Sequence, residues 1–407
     1  MPRSGALRPS IGVMPNADDR LHLGIVANEF FEPTIGRMGG FGWAARQVAR
    51  FFRTHPTLGV DVSFISRELR AGPSSADLTV HGSRLIPMSE KLLSYARMLR
   101  RERFDLLLTI DYRPSYQRLL LLLPFTPVIV WVRDPRTPED AARVAGIRIP
   151  GQPDVQPRGL RSPCCTSLSS LATLSAWLHR PLMLATTSPF LRSKIEGAYN
   201  IRTKDSMLLP NIIDLDPVDS GKSPTPRVAF LGRLDPYKRP WLFAKLARQF
   251  PQVEFLFLGQ AHFRGPGAWR PDNLADNIHM LEHVGEVEKR RILTSAWVLV
   301  NTSHHEGLAV SLLEALACET PLLASVDPER VVSRFGIYVG DWSGTGEEGL
   351  PHFVAGLSRL LEDKALRLGL GKRGRAWVQR VHSAQEFVSA FGALCSRAGV
   401  SWNGVGR

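Results

Sequence analysis

Short apolar runs recur along this chain, and the stretches between them carry helical spacing. In the first half the runs are "LHLGIVA" (21–27), "VDVSFIS" (60–66), "FDLLLTI" (104–110), "PVIVWV" (127–132) and "LMLATTS" (182–188). Runs this short, rich in Val, Ile and Leu, predict strands buried on both faces. A helix is expected from about residue 42 to 52. A second lies in "SEKLLSYARMLRRERF", where Leu92, Tyr95, Ala96 and Leu99 share one face. The most apolar run, "LLLLLPFTPVIVWV" (119–132), is too short to span a membrane and is broken by Pro124 and Pro127. It reads as a helix end, a turn and a buried strand.

The pattern then restarts. "SGKSPTPR" (220–227) has the composition of a linker. Beyond it come "VAFLG" (228–232), "VEFLFLG" (253–259), "IHML" (278–281), "WVLVN" (297–301), "PLLAS" (321–325) and "GIYVG" (336–340). Helices are expected at about 239–250, 286–294 and 309–318, and then to roughly residue 398. Strands alternating with helices imply an α/β protein with parallel sheets covered on both faces. Two tandem Rossmann-like, doubly wound domains follow, with the site in the cleft at the carboxyl ends of the strands. The expected division is a flexible arm (1–20), a first domain (21–205), a second domain (206–380), and a C-terminal helix and tail (381–407) returning towards the first.

Composition adds compartment and partners. The chain has 407 residues, 44% of them hydrophobic and 22% charged, which suits two full cores. Of its net charge of +13, residues 1–205 carry +11, from 28 Lys and Arg against 17 Asp and Glu. The first half is therefore suited to an acidic partner, either a phosphorylated acceptor or an anionic membrane. The basic residues are scattered and form no recognition motif, which argues against nucleic acid. "KLLSYARMLRR", with Lys91, Arg97, Arg100 and Arg101 beside an apolar face, is the candidate membrane contact. Cys164 and Cys165 are adjacent, while Cys318 and Cys395 stand alone, so no metal-knuckle spacing exists and free thiols are expected. The first twenty residues lack an apolar core of signal-peptide length. A cytoplasmic protein is expected, with peripheral contact at the inner face of the membrane.

The chemistry concentrates in the second half. "FLGRLDPYKRP" (230–240) is a strand running into a Gly turn, with Arg233 and Lys238 five residues apart. Two fixed cations there suit a diphosphate, although a solvated pair near a helix start has the same pattern. "NTSHHEGLAVSLLEALACETPLLAS" (301–325) follows another buried strand. Gly307 precedes a helix whose free N–H groups at Leu308, Ala309, Val310 and Ser311 offer a phosphate seat. Glu306 lies in the loop and Glu314 in the helix, roughly 8–12 Å apart along its axis. That is too far for one shared hydrolytic centre and fits two grips on hydroxyl-bearing rings either side of a diphosphate. His304 and His305 tempt a metal reading, but adjacent loop residues point different ways, so loop hydrogen bonding is expected. In the first half, Gly39, Gly40 and Gly42 lie between the first strand and its helix and allow a backbone approach to phosphate.

The second half resembles the donor-binding domain of glycosyltransferase family 4, the retaining GT-B enzymes. "LLPNIIDLD" (208–216), "FLGRLDPYK" and "HVGEVEKRRILTSAWVLVNTSHHEGLAVSLLEALACETPLLAS" fall in that family's order over about residues 205–380. The resemblance implies a GT-B fold and sugar transfer from a UDP- or GDP-sugar, with retention and without a metal or other cofactor. By the same resemblance, Glu306 contacts the transferred sugar and Glu314 the ribose. Arg233 and Lys238 neutralise the diphosphate, with Gly39 or Gly40 facing it from the first domain. The loop "EHVGE" (282–286) edges the base. Two departures stand out. Glu319 occupies a position that is usually Gly. Arg133 and Asp134 stand where the family often delivers a His into the cleft. Asp134 is then a candidate catalytic group, accepting a proton or sugar hydroxyls, and Arg133 a candidate for an acidic group. Pairing of these two with each other is the alternative. Asp111 and Tyr112 end the preceding strand on the acceptor side. A non-catalytic sugar-nucleotide binder and a glycoside hydrolase are the competing functions.

Overall fold

The computed structural model describes residues 20–32, 39–70, 78–89, 91–152, 155, 167–216, 221–261, 267–269, 271, 273–402 and 404. Cys164, Cys165 and nearly all of the N-terminal arm lie outside them.

The first half builds an eight-stranded sheet. Its strands are β1 (Leu21–Val26), β2 (Val60–Arg70), β3 (Thr79–Val80), β4 (Ser83–Met88), β5 (Leu106–Ile110), β6 (Val128–Val132), β7 (Leu182–Thr186) and β8 (Met207–Leu208), in the order β3-β4-β2-β1-β5-β6-β7-β8. Every pairing is parallel except the β3–β4 hairpin. The apolar runs at β5 and β6 are buried at every position, because helices cover both faces. Helix α1 (Gly40–Thr54) lies on one face. Helices α2 (Leu92–Arg101), α3 (Pro114–Leu122), α5 (Ser167–Trp177) and α6 (Leu191–Tyr199) share a core on the other, and α4 (Pro138–Ala145) follows β6.

The second half repeats the scheme with six parallel strands. These are β9 (Arg227–Leu231), β10 (Glu254–Leu258), β11 (Ile278–Met280), β12 (Val298–Asn301), β13 (Leu322–Ala324) and β14 (Gly336–Tyr338), ordered β11-β10-β9-β12-β13-β14. Among their helices are α7 (Pro240–Ala247), α8 (Glu286–Ser295) and α9 (Val310–Ala317). The strand order reverses between β9 and β12. At such a point the neighbouring loops diverge to opposite faces and leave a crevice.

The chain crosses between the halves twice, side by side. The Ile213 N–H donates to the His382 carbonyl at 3.0 Å, and the Asn211 N–H donates to His382 Nδ1 at 3.2 Å. After this second crossing, a last helix (Ala384–Arg397) packs on the first half. Its Phe391 and Phe387 rings lie 5.3 and 6.2 Å from Phe52, and Trp402 donates to the Leu58 carbonyl at 2.7 Å.

Two expectations need correction. Leu92 is not part of the buried face of α2: it is 59% exposed, as is neighbouring Leu93 at 80%, while Tyr95, Ala96 and Leu99 are buried. The first turn of the helix is exposed, and its buried face begins at Tyr95. "SGKSPTPR" is not a loose linker throughout. Lys222 is sunk among the Ala296 carbonyl (2.8 Å), the Cys318 carbonyl (3.2 Å) and the Thr320 hydroxyl (2.6 Å), fastening the stretch to the ends of α8 and α9. Glu319, where Gly is usual, follows α9 with φ 54°. A left-handed conformation costs a non-glycine residue about 1–2 kcal/mol, which explains why Gly is favoured at this helix end.

Candidate active site

A cleft of about 860 Å³ lies between the two sheets, at the carboxyl ends of β1, β5, β6, β9 and β12. The residues singled out from the sequence as site candidates line it, except Gly42, which packs on the backbone of Glu29 and Phe31: a Cβ there would lie 2.6 Å from the Phe31 nitrogen.

On the second-half wall, β9 delivers Arg233 and the short turn after it delivers Lys238. The Arg233 guanidinium is fixed by Asp235 at 3.0 Å and by the Tyr237 hydroxyl. Lys238 donates to Glu306 Oε1 from the neighbouring β12 loop. The same oxygen accepts from the Ser303 hydroxyl at 2.6 Å and from Asn301 at 3.4 Å. Thr302 laces the two loops together by donating to the Lys238 and Arg239 carbonyls at 2.7 and 2.9 Å. Burial alone would lower the Lys238 ammonium, but the Glu306 charge more than offsets it and raises the pKa. Burial also works against Arg233, whose pKa is nonetheless raised by Tyr237 and Asp235. Both cations are therefore permanent, positioned before any ligand arrives. Helix α9 then opens onto the cleft with Leu308, Ala309, Val310 and Ser311 at its start.

On the first-half wall, Gly39 precedes α1 and packs on Glu29. A Cβ there would lie 2.2 Å from Glu29 Oε2, whereas one on Gly40 would meet nothing within 4 Å. Arg133 and Asp134 do not pair with each other. Arg133 turns back into the protein, donating to Asn211 Oδ1 at 2.6 Å with its guanidinium over the Trp131 ring at 4.3 Å. Burial lowers its pKa to about 9. Asp134 accepts from Arg136 at 3.0 Å and sits 3.0 Å from His305 Nε2. Burial would raise this carboxyl, but Arg136 and His305 hold it far below the usual range.

The two histidines thus take separate partners across the cleft. His304 donates from Nε2 to the Arg143 carbonyl at 3.0 Å, and His305 reaches Asp134. Gly307, beside them, touches the opposite wall: a Cβ would lie 2.3 Å from the Arg133 carbonyl oxygen.

Asp111 ends β5 beneath Arg133, with φ 61°, and accepts the Arg133 N–H at 3.1 Å. Burial pushes its pKa up to about 6. Because the folded value exceeds the unfolded one, the contribution of Asp111 to stability is lost as pH rises through about 6. Asp111→Asn keeps the acceptor oxygen and tolerates the left-handed backbone. Urea denaturation should find this variant more stable than wild type at pH 8, by at most ~3 kcal/mol. The advantage should shrink at pH 5.

Residues 214–377 match the model of the family described as Glycosyl transferases group 1. The match takes in all six strands of the second sheet. Among curated proteins, D-inositol 3-phosphate glycosyltransferase of Kineococcus radiotolerans is 31% identical over 167 residues, covering 35% of this chain and 38% of that one. The protein of the same name from Mycobacterium sp. (strain KMS) is 32% identical over 136 residues, covering 29% and 30%. These matches span only about a third of either relative. The solved structures extend the likeness to both halves. Sucrose-phosphate synthase from Thermosynechococcus elongatus superposes with a TM-score of 0.65 at 17% identity, covering 93% of this chain and 99% of that one. Anabaena Alr3699/HepE in complex with UDP-glucose gives 0.63 at 14%, covering 93% and 100%. WaaG, a glycosyltransferase involved in lipopolysaccharide biosynthesis, gives 0.58 at 14%, also covering 93% and 100%. The fold is GT-B.

Within the matched segment, Glu314 does not stand alone. Lys289 of α8 donates to Glu314 Oε1 at 2.6 Å and to both Glu286 oxygens at 3.0 and 3.1 Å. Glu286 in turn accepts from Arg46 of α1, in the other half, at 2.6 Å. Burial raises the Glu314 pKa, and it opposes the carboxylates that raise Lys289. Sequence reasoning passed over Lys289, Glu29 and Arg136. For Lys289 a signal existed: it stands three residues before Ile292, so the helical period puts an ammonium on the buried face.

Proposed function

We propose that this chain is a retaining glycosyltransferase, moving a sugar from a UDP- or GDP-sugar to a glycan, lipid-linked or phosphorylated acceptor without a metal. One observation carries the reading: Arg233, the Lys238–Glu306 pair and the start of α9 converge on one cleft wall, opposite Gly39 and Gly40. Arg233, Lys238 and the N–H groups from Leu308 to Ser311 take the charge that grows on the departing diphosphate. Glu306 accepts sugar hydroxyls while Lys238 holds it in place, and Glu314 grips the ribose. The bond from the anomeric carbon to the phosphate oxygen breaks and the acceptor oxygen attacks on the same face. Its proton passes to the leaving diphosphate. Asp134, kept ionised by Arg136 and His305, is a weak base and serves as an acceptor for substrate hydroxyls. Asp111 and Arg133 shape the acceptor side behind it. Closure of the cleft excludes water and favours transfer over hydrolysis. UDP-glucose in the HepE complex supports a uridine diphosphate donor, and the inositol phosphate in the relatives' names supports a phosphorylated acceptor.

A thermal-shift screen of unlabelled nucleotide sugars tests this. A donor at 100 times its Kd stabilises the fold by ~2.7 kcal/mol, and turnover of that donor should persist in excess EDTA. A screen with no shift from any UDP- or GDP-sugar would remove the reading.

No helix among the described residues is long and apolar enough to cross a membrane. The start of α2 supports peripheral contact, since exposed Leu92 and Leu93 stand on a helix whose Arg97, Arg100 and Arg101 are also exposed. Flotation with phosphatidylserine vesicles at low salt, lost at high salt, is the expected result. Recovery only in the unbound fraction at both salts would refute membrane contact.

A further inference from the structure

The chain of charges that reaches Glu314 is more than a salt bridge at the cleft edge. Lys289 is 6% exposed, and an ammonium sunk that far is retained only where carboxylates surround it. Its partners are Glu286 and Glu314, and both they and Lys289 line the cleft. Glu314 gives Oε1 to Lys289, and among the described residues no protein donor occupies Oε2. The carboxylate is thus pinned by one oxygen and offered by the other. Glu286 carries the chain across the domain boundary to Arg46, whose guanidinium also lies 4.4 Å over the Phe31 ring. Phe31 in turn meets His283, 5.7 Å away in the "EHVGE" loop. Opening the cleft must break the Arg46–Glu286 pair and loosen the grip on Lys289.

We propose that Lys289 is a positioning residue for the donor's ribose. It aims Glu314 at the sugar diol and, through Glu286 and Arg46, couples that recognition to closure of the two domains. The inference rests on the nucleotide-sugar reading above and concerns the nucleoside end of the donor.

The test measures binding of UDP, GDP and their 2′-deoxy analogues by calorimetry. Wild type should prefer one ribonucleotide over its deoxy form by about ten-fold, the worth of one good hydrogen bond to a charged group. Lys289→Met should weaken the ribonucleotide about ten-fold and abolish that preference. Lys289→Arg should restore part of it. Glu314→Gln should match Lys289→Met, and the double variant should lose no more than either single one, because the two act as a unit. Glu286→Gln and Arg46→Ala remove charges nearer the surface. They should weaken binding about three-fold and carry the test if Lys289→Met does not fold. Wild-type affinity and ribose preference in Lys289→Met, or in both outer variants, would overturn the inference. A wild-type protein that binds neither UDP nor GDP would instead overturn the nucleotide-sugar reading beneath it.

Discussion

Lys238→Ala is expected to lower kcat by about 10²–10³-fold while leaving the thermal transition close to wild type, because it removes one preorganised donor from the developing diphosphate charge. The ammonium is buried against Glu306 with its pKa raised, so it is charged at every working pH and costs no reorganisation during reaction. Removing it also frees Glu306, but Ser303 and Asn301 still hold Oε1, so the fold survives. KM should move little if the interaction belongs to the transition state, since only such interactions raise kcat. Glu306→Ala removes the other half of the pair and should give a loss of similar size. The competing functions predict otherwise. A hydrolase would cleave a simple glycoside with no nucleotide present. A non-catalytic binder would give a donor-induced thermal shift in wild type with no turnover to lose. Wild-type rates in both Lys238→Ala and Glu306→Ala would end the assignment of these residues.

What the sequence makes legible is what short-range pattern encodes. "FDLLLTI" and "PVIVWV" announce buried parallel strands because no polar residue interrupts them, and β5 and β6 are buried throughout. The loops after β9 and β12 are readable too, since in a parallel sheet the carboxyl ends face one crevice whatever the side chains. That is why Arg233, Lys238, Glu306 and Glu314 line the same cleft. Side-chain pairing across long separations is illegible. Arg133 stands beside Asp134 in sequence, yet its partner is Asn211, 78 residues on, because the end of β6 meets the crossing segment there. His305 finds Asp134 across 171 residues, and Arg46 finds Glu286 across 240. The β3–β4 hairpin is illegible for a local reason. Its turn is His81-Gly82, both at positive φ, and His is a less familiar first residue for such a turn than Asn or Asp. Lys222 shows the limit of composition: Pro, Ser and Gly around it suggest a linker, and only the carbonyls of Ala296 and Cys318 reveal a buried clamp.

Gly307→Ala is expected to cost about 10²-fold in kcat for a single added methyl, the penalty that a misplacement of about 1 Å imposes on a reacting geometry. Gly307 sits between Glu306 and the start of α9, and it is also where the two walls touch. A Cβ would stand 2.3 Å from the Arg133 carbonyl oxygen, 3.4 Å from its carbon and 3.5 Å from the Asp134 Cα. These are backbone atoms of the turn just past β6, where Arg133 is buried, so no flexible side chain is available to give way. Either β6 retreats, opening the cleft, or the loop retreats, carrying Glu306 from Lys238 and the helix start from the diphosphate. Both outcomes damage transfer, and neither requires the core of either sheet to unpack. The melting temperature should therefore fall by only a few degrees, about 1–2 kcal/mol. Small-angle scattering with saturating donor should show the variant more extended than wild type. Gly40→Ala is the control, since its Cβ would meet nothing within 4 Å, and it should leave the fold unchanged. Full activity in Gly307→Ala would mean that the walls need not meet for catalysis, and the closed cleft would lose its role in the mechanism.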